Sequence, residues 1–335
     1  MNNIEEDQLL SDEERNKENI FKKGKIWRPT PKIETTFTCF IIVGVVFIII
    51  GIVLLVYTSK IHEVKIRYDN ISKCNSILMD NVKNFENDNY EFQYCRINLT
   101  VEKTIEKPVM FYIELHNFYQ NHRRYIKSYS AKQLKGKILS TKEIKDECDP
   151  IITMQDLGRT KSISKKILDK NEPAHPCGLI ARSIFNDTID FYKNPELTEQ
   201  IIVSTDGITW KSDKKGRYKN VENYRDIQWL NVEEERFMVW MKPSSLPNFR
   251  KLWGKIHQDI NPGQYYIKIV NNYPVDDFNG KKYIILSNVN AFGGKNTFLG
   301  VCYIIVGALS LSIGIIFVIL HLTFNKKKDK KMHQQ

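Results

Sequence analysis

The chain has 335 residues, 42% of them hydrophobic and 27% charged, and it carries a formal net charge of +11 at pH 7. That excess is spread along the chain: residues 1–36 hold 7 basic and 8 acidic side chains, residues 325–335 hold 5 and 1, and residues 58–297 hold 38 and 30. This distribution argues against nucleic acid as a partner. It favours anionic lipid headgroups or an acidic protein surface, with an ordinary solvated surface as the alternative.

The first long apolar segment is Phe37–Tyr57, which contains no charged residue. As a helix it would be about 30 Å long, the thickness of the hydrocarbon core of a bilayer. A cleaved signal peptide is the competing interpretation, but such a segment begins near the N-terminus and ends in small residues. This one follows a mostly polar segment and ends in Leu54, Leu55, Val56 and Tyr57. The sequence therefore predicts an uncleaved transmembrane helix.

A second span is predicted at Phe298–Phe324, which has no Asp, Glu, Lys or Arg. Two crossings place both termini on the same side of the membrane. Because basic residues next to spans stay in the cytosol, the flanking lysines and arginines predict cytosolic tails at 1–36 and 325–335. The segment 58–297 is then an extracytoplasmic domain. The basic residues near the spans are Lys22, Lys23, Lys25, Arg28, Lys32, Lys326, Lys327, Lys328, Lys330 and Lys331.

Four of the six cysteines lie in this domain, at Cys74, Cys95, Cys148 and Cys177. An extracytoplasmic compartment is oxidising, which favours disulfides. Three pairings are possible, and joining nearest neighbours, Cys74 to Cys95 and Cys148 to Cys177, closes the shortest loops. A zinc site is the alternative, but the CxxC spacing of structural zinc sites is absent.

Three sequons for N-glycosylation also fall in the domain, at Asn70, Asn98 and Asn186. A chain rich in asparagine produces sequons by chance. Their position nevertheless agrees with the predicted topology.

Strand patterns dominate the domain. Segments rich in β-branched and aromatic residues are bounded by turn residues, which is typical of an antiparallel sandwich. Residues 271–280 read as a turn between the last two strands. The predicted strands are Phe92–Val101, Val109–Leu115, Phe237–Met241, Tyr265–Val270 and Lys282–Leu286.

One amphipathic helix is predicted after Ser244, Ser245 and Pro247, because apolar residues from Leu246 to Ile256 recur at helical spacing with a basic opposite face. It would contact lipid or a partner, or pack on the sheet. In the spans, small residues fall on one helical face and predict a closely packed helix partner. These residues are Gly44, Gly51, Gly300, Gly307, Ser310 and Gly314.

No catalytic motif is recognisable. The sequence lacks a phosphate-binding glycine loop, an HExxH zinc helix, a GxSxG nucleophile elbow and the phosphorylation motif of a P-type pump. His321 is the only ionisable side chain in the spans other than Cys and Tyr, which argues against an ion pathway within this chain. The residues therefore predict a membrane-anchored interaction protein that is not an enzyme and needs no cofactor.

Several longer motifs carry a family resemblance. They include FYQNHRRYIKS at Phe118–Ser128, PCGLIARSIFNDT at Pro176–Thr188, DGITWK at Asp206–Lys211 and a block from Glu234 to Gly300 with FMVWMKPSSLPNFRKLWGKI, NNYPV and FGGKN. In these the chain resembles the cell-division-control-50/ligand-effect-modulator family, the β-subunits of phospholipid-flipping type IV P-type ATPases. The resemblance extends over about residues 21–324.

This resemblance implies a disulfide-bonded, glycosylated, β-rich ectodomain with a few helices between two spans. It implies a heterodimer with the ATPase catalytic subunit, export of that subunit from the endoplasmic reticulum, and contact with membrane lipids. It also implies that the protein is located in the endoplasmic reticulum, in Golgi or endosomal membranes, or in the plasma membrane. Asn186 lies on a sequon of the family. The alternative is a two-span ligand-gated channel subunit, which shares the topology.

Candidate partner-binding residues are Arg123, Arg124, Tyr125 and Trp253. The two arginines suit acidic loops of the ATPase, and internal bracing of the ectodomain is the alternative for them. For Trp253 the alternative is a place in the core.

Overall fold

The computed structural model describes residues 32–84, 87, 90–290 and 293–332. It divides into two compact units, one holding the terminal helices and the other holding residues 56–296. The helices are α1 (Ile33–Ser59), α2 (Ser72–Lys83), α3 (Arg123–Lys127), α4 (Ala131–Leu134), α5 (Thr141–Cys148), α6 (Met154–Leu157), α7 (Leu179–Arg182), α8 (Lys211–Gly216), α9 (Tyr224–Ile227), α10 (Glu235–Trp240) and α11 (Thr297–Met332).

The strands are β1 (Glu63–Arg67), β2 (Cys95–Val101), β3 (Val109–His116), β4 (Thr188–Tyr192), β5 (Gln200–Ile201), β6 (Phe249–Ile256), β7 (Gly263–Val270) and β8 (Lys281–Ser287). They form two antiparallel sheets of four strands. Sheet 1 has the order β1-β8-β3-β6, and sheet 2 has the order β2-β7-β4-β5. The predicted antiparallel, β-rich ectodomain between two apolar helices is confirmed.

Both predicted membrane helices are confirmed as well. The segments Ile33–Ser59 and Thr297–Lys326 are long and apolar enough to cross a bilayer. Each helix extends beyond the predicted span, since α1 begins four residues earlier and α11 continues into the basic tail. The chain is an integral membrane protein.

Two predictions were wrong, and they exchange a helix for a strand. The segment expected to be a strand at Phe237–Met241 lies in α10 and its C-cap, where all of Phe237–Trp240 is buried. The segment expected to be an amphipathic helix after Pro247 is β6, paired with β3 from Phe249 to Ile256 with a register shift at Trp253. A helix buried on every side has no polar face, so its run of Phe, Met, Val and Trp resembled a strand.

The sheets contribute to one apolar core. In β2 the inward residues alternate strictly with exposed ones, because successive side chains of a strand point to opposite faces. The fully buried side chains include Phe111, Phe191, Phe237 and Trp240. Each such side chain contributes about 1.5–3 kcal/mol by leaving water.

Two disulfides join Cys74 to Cys95 and Cys148 to Cys177, with Cα–Cα distances of 5.2 and 5.7 Å. This is the pairing that nearest-neighbour spacing predicts. The first bond connects α2 to the start of β2, and the second connects the end of α5 to the loop before α7. Each is worth about 3 kcal/mol through its effect on the unfolded chain.

Candidate partner interface

The two long helices pack against each other through their glycines. A Cβ atom at Gly51 would lie 2.6 Å from Ile304 Cγ1 and 2.9 Å from the Gly300 carbonyl oxygen. A Cβ at Gly44 would lie 2.9 Å from the Gly307 carbonyl oxygen. The helix partner that the small residues predicted is therefore the other span of the same chain.

The hydroxyl of Ser310 adds a polar contact to this helix pair, donating to the Phe40 carbonyl oxygen at 3.0 Å. The remaining faces of the helices are apolar and exposed, including Ile49, Ile52, Leu309 and Ile316. In a membrane these faces meet lipid or the helices of another protein.

The ectodomain begins and ends at one end of sheet 1. The side chain of Asn290 donates to the Tyr57 carbonyl oxygen at 3.0 Å, and the Asn288 side chain accepts from the His62 N–H at 2.8 Å. Here Glu63 of β1 is opposite Ser287 of β8. We call this the stem end, and it includes the start of β3 and the end of β6.

Two loops at the stem end are tied together. Ile105 and Ile260 exchange both backbone hydrogen bonds, at 2.9 and 3.0 Å. The Lys107 N–H also donates to the Asp259 carboxylate at 2.8 Å. Because these loops precede β3 and follow β6, they present the exposed side chains of Glu102 and Lys103 at the stem end.

The opposite end of sheet 1, here called the far end, carries the loops 117–121 and 241–248. Six residue steps along β8 separate Ser287 from Lys281, which corresponds to about 20 Å. The loops contact each other: the Phe118 N–H donates to the Pro247 carbonyl oxygen, and the Ser244 N–H donates to the Gln120 side chain.

The predicted partner-binding residues lie at this far end or beneath it. Arg123 and Arg124 are exposed, and Arg124 donates to the Asp149 carboxylate at 3.2 Å. Tyr125 and Trp253 are only 8% and 3% exposed. Both side chains are part of the core, and direct contact of either with a partner stays a prediction.

Tyr125 instead holds the far-end loops from inside. Its hydroxyl lies 2.8 Å from the Ser183 hydroxyl, and its ring packs edge to face with Phe118. Burial raises the pKa of Tyr125 to about 12. Trp253 packs edge to face with Phe185 in the same way.

A buried ion pair between Lys282 and Asp187 lies in the core, with exposed fractions of 1% and 0% and an N–O distance of 2.8 Å. The Asp187 carboxylate also accepts from the Tyr68 hydroxyl and from the backbone N–H groups of Asn272 and Tyr273, each at 2.6 Å. The Asp187 carboxylate thus holds the loop Asn271–Pro274 (NNYP) in place and joins it to β8.

The ammonium group of Lys282 is equally well satisfied. It donates to the Tyr273 carbonyl oxygen at 2.6 Å and to the side chain of Asn271. Burial lowers the pKa of Lys282, and Asp187 opposes that shift. Burial and the Asp187 charge raise the pKa of Tyr68. Sequence reasoning missed this site because its partners are 95 residues apart. In the sequence, NNYPV and FNDT are recognisable only as family motifs.

A second charge cluster covers the outer face of sheet 1. The Glu114 carboxylate accepts from Lys65, from Arg250 at 2.8 Å, and contacts His116 at 2.5 Å. Burial opposes ionisation, but these hydrogen bonds outweigh it and lower the pKa of Glu114. Arg250 also holds Glu63 at 2.7 Å, so the cluster spans three of the four strands.

The three sequons differ in setting. Asn70 is exposed in a turn, and Asn98 is exposed on the outward face of β2. Asn186 is half-buried, and its backbone carbonyl oxygen accepts from the Asn272 side chain at 3.4 Å. Glycosylation at all three remains a prediction.

No metal site is assembled within the described residues. They contain no group of three or more His, Cys, Asp or Glu side chains that could hold an ion. The four ectodomain cysteines are engaged in disulfides, which removes the thiolates that a zinc site would need.

Two spans, a glycine-packed helix pair and a disulfide-bonded antiparallel ectodomain define a two-span membrane protein of the interaction class. A model of the LEM3 (ligand-effect modulator 3) family / CDC50 family matches residues 54–328. The chain belongs to this family.

Individual relatives agree with the assignment. The chain is 34% identical to "Cell cycle control protein 50A" of Bos taurus, over 90% of this chain and 87% of that protein. It is 36% identical to "Putative ALA-interacting subunit 4" of Arabidopsis thaliana, over 84% and 82%. It is 29% identical to "Phospholipid-transporting ATPase accessory subunit CRF1" of Saccharomyces cerevisiae, over 88% and 81%.

Proposed function

We propose that this chain is the non-catalytic accessory subunit of a phospholipid-transporting type IV P-type ATPase, with which it forms a heterodimer. The observation that carries the proposal is the family match over residues 54–328, which covers the end of the first span, the whole ectodomain and the second span. A relative of similar length is named as an accessory subunit of such an ATPase. The family assignment leaves the ligand-gated channel alternative without support.

The glycine-packed helices suit this role. Because Gly44 and Gly51 are used to join the two spans, the pair can act as one preassembled unit with an apolar outer surface. The ATPase would bind that surface inside the membrane. Folding and export of the ATPase would then depend on covering apolar faces that are otherwise exposed.

The stem end is the part of the ectodomain that we assign to the ATPase. Only residues 60–62 separate α1 from β1, so the chain enters the ectodomain at this end. Its exposed Glu102, Lys103, Glu106 and Lys107 offer both signs of charge to the ATPase loops. Arg123 and Arg124, at the far end, remain candidates for an acidic surface that extends that far.

An accessory subunit influences the transport cycle only by binding one conformational state of the ATPase better than another. The rigid ectodomain would supply this difference through contacts that form in some states and break in others. The transported lipid, an aminophospholipid in this proposal, would be bound by the ATPase.

We infer that both termini are cytosolic and that residues 58–297 are extracytoplasmic. The flanking lysines support this orientation, as do two disulfides, which need an oxidising compartment. The sequons at Asn70, Asn98 and Asn186 would then be available for glycan addition. The endoplasmic reticulum, Golgi or endosomal membranes, and the plasma membrane are the proposed locations.

Purification of the tagged chain in mild detergent tests the proposal. We expect a large P-type ATPase to co-purify, and we expect depletion of the chain to abolish uptake of labelled aminophospholipid. Normal uptake after complete depletion, or a homotrimer with no ATPase, would refute the accessory role.

Site-specific photocrosslinking tests which end of the ectodomain contacts the ATPase. A photoreactive residue at Lys103, at the stem end, should crosslink to the ATPase, whereas one at Arg123 serves as the far-end comparison. Crosslinks from position 123 alone would reverse the assignment of the two ends.

A further inference from the structure

The positive charge of the ectodomain is concentrated in two short segments, 127–137 and 211–219. They contain nine basic side chains and one acidic residue, Asp213, and all nine basic side chains are exposed while Asp213 is buried. Their net charge of +8 equals that of the whole ectodomain, which has 38 basic and 30 acidic residues. We call these side chains the basic face: Lys127, Lys132, Lys135, Lys137, Lys211, Lys214, Lys215, Arg217 and Lys219.

The two segments lie side by side. The Lys219 N–H donates to the Leu134 carbonyl oxygen at 2.8 Å. A Cβ atom on Gly136 would lie 3.1 Å from the carbonyl oxygens of both Lys219 and Asn220. The basic face is therefore one continuous surface.

Most of its charge is not neutralised internally. Lys132 lies 3.8 Å from Glu147, Lys214 pairs with Glu235, and Arg217 lies 3.5 Å from Asp213. The other six cations form no ion pair within the described part of the chain. Neighbouring Lys251 is sensitive to the surrounding charge, since burial and then Lys242 lower its pKa to about 8.

A cleft of about 580 Å³ opens between the two segments. Its walls are mostly apolar and include Ile126, Tyr129, Leu134, Met241 and Pro243. Ile126 and Tyr129 are 41% and 38% exposed, a large fraction for apolar side chains at the edge of a core.

Cations line the same cleft, at Lys135, Arg217 and Lys242. Two of them are held in place by buried Asp213, which pairs with Lys242 as well as Arg217. Beside the cleft, Trp210 is 69% exposed, with the Lys242 ammonium 4.3 Å from its ring centre. Fixed cations beside an apolar pocket match a ligand that carries both acidic and apolar groups.

The position of the cleft narrows the choice of ligand. Met241 and Pro243 belong to the far-end loop 241–248, where the Ser244 N–H donates to the Gln120 side chain, so the cleft borders the end of the ectodomain opposite the stem end. The apolar walls favour a polypeptide over a sulfated polysaccharide or a surface of lipid headgroups, neither of which has an apolar side chain to place there.

We propose that the basic face and its cleft bind an acidic segment of an extracytoplasmic protein other than the ATPase, with an apolar side chain of that segment seated between Ile126 and Met241. This inference rests on the proposed function for the extracytoplasmic placement of the domain and for the identity of the first partner. It assigns a second partner surface, separate from the stem end.

A direct binding measurement tests it. The full-length chain in detergent is titrated against a fluorescent peptide of alternating Glu and Leu, and against a second peptide in which Ser replaces every Leu. We expect Lys135→Glu/Lys215→Glu/Lys219→Glu to weaken binding of both peptides by about tenfold or more, because complementary charge is lost. The matched control Lys170→Glu/Lys193→Glu also changes exposed lysines, and it should bind like the wild type. The basic C-terminal tail contributes equally to every variant.

The apolar part is tested separately. Ile126→Ser/Tyr129→Ser should weaken binding of the Leu peptide by about fivefold and leave the Ser peptide unchanged, as expected for loss of one seated side chain. Thermal unfolding of each variant identifies any that are misfolded, and ATPase co-purification should be unaffected. Tighter binding of heparin or of phosphatidylserine vesicles than of the Leu peptide would overturn the proposal, as would equal binding by the triple charge variant. Loss of peptide binding with ATPase association intact therefore separates this inference from the accessory role.

Discussion

Two of the sites where the ectodomain holds charge below its surface, the Lys282–Asp187 pair and the Glu114 cluster, are built differently. The Lys282–Asp187 pair is sealed, with exposed fractions of 1% and 0%. The Glu114 cluster is covered only on the carboxylate side: Glu114 is 7% exposed, whereas Lys65 and Arg250 are 33% and 39% exposed. Water can reach the cations of the second site but neither partner of the first.

This difference predicts how each site responds to loss of a partner. A buried charge without its counterion keeps the full cost of leaving water, whereas a half-exposed cation regains hydration. Removal of one partner of the sealed pair is therefore expected to cost far more than removal of one partner of the Glu114 cluster.

The largest effect is expected for Asp187→Asn. It leaves the Lys282 ammonium buried without an anion and weakens the acceptor for Tyr68, so we expect a loss of about 3–5 kcal/mol in the free energy of unfolding. Denaturant unfolding of the purified chain measures the loss, and Asp277→Asn, at an exposed position, is the control. A loss below about 1 kcal/mol, the range of exposed pairs, would show that the pair is not sealed.

His175 provides a buried titratable group that forms no ion pair with the residues the structure describes. It is 3% exposed, and burial lowers its pKa from 6.5 to about 4. Because the folded state disfavours the protonated form, the stability is complete above pH 6.5 and is lost as the pH falls from 6.5 towards 4. The expected loss is about 3 kcal/mol.

The variant His175→Gln removes this titration and provides the comparison. The stability of the wild type should fall between pH 6.5 and 4.5 relative to the variant, measured by thermal unfolding across that range. Parallel curves for the two proteins would contradict a buried, neutral imidazole.

For the half-exposed cluster, Glu114→Gln should cost about 1–2 kcal/mol, because hydrogen bonds to charged groups are lost while the cations gain water. The lowered pKa of Glu114 means that its contribution is complete above the unfolded pKa of a glutamate and is lost as the pH falls through the lower folded value. This window lies below that of His175. Denaturant unfolding at neutral and acid pH separates the two, and a loss as large as that of Asp187→Asn would erase the distinction between the sites.

The two sites also show where sequence reasoning ends. The spans and four strands can be predicted from local patterns, because long apolar runs and period-two alternation are visible in the sequence. The helical state of α10 and the strand state of β6 cannot be predicted in this way. Leu252 and Trp253 fit helical spacing, and Lys251, buried in β6, breaks the alternation that would have identified the strand.

Contacts between distant residues left no such mark. In the sequence, Lys282 looks like an ordinary lysine at the start of a strand. It is a core residue because the loop Asn271–Pro274 packs against β8 and accepts its ammonium group. The basic face has the same origin. Each of its segments resembles a solvated loop, and the two become one surface where the Lys219 N–H donates to the Leu134 carbonyl oxygen beside Gly136.

The smallest effect is expected for Arg124→Ala. Both members of its pair with Asp149 are exposed, at 61% and 60%, and lie 3.2 Å apart, so the pair gains little over hydration. We expect a change of at most about 0.5 kcal/mol in unfolding free energy, decreasing further in high salt. A change of several kcal/mol would mean that this arginine braces the ectodomain as strongly as Lys282 does. A negligible change would show that Arg124 is not needed for folding. The effect of Arg124→Ala on partner binding could then be measured on a folded protein.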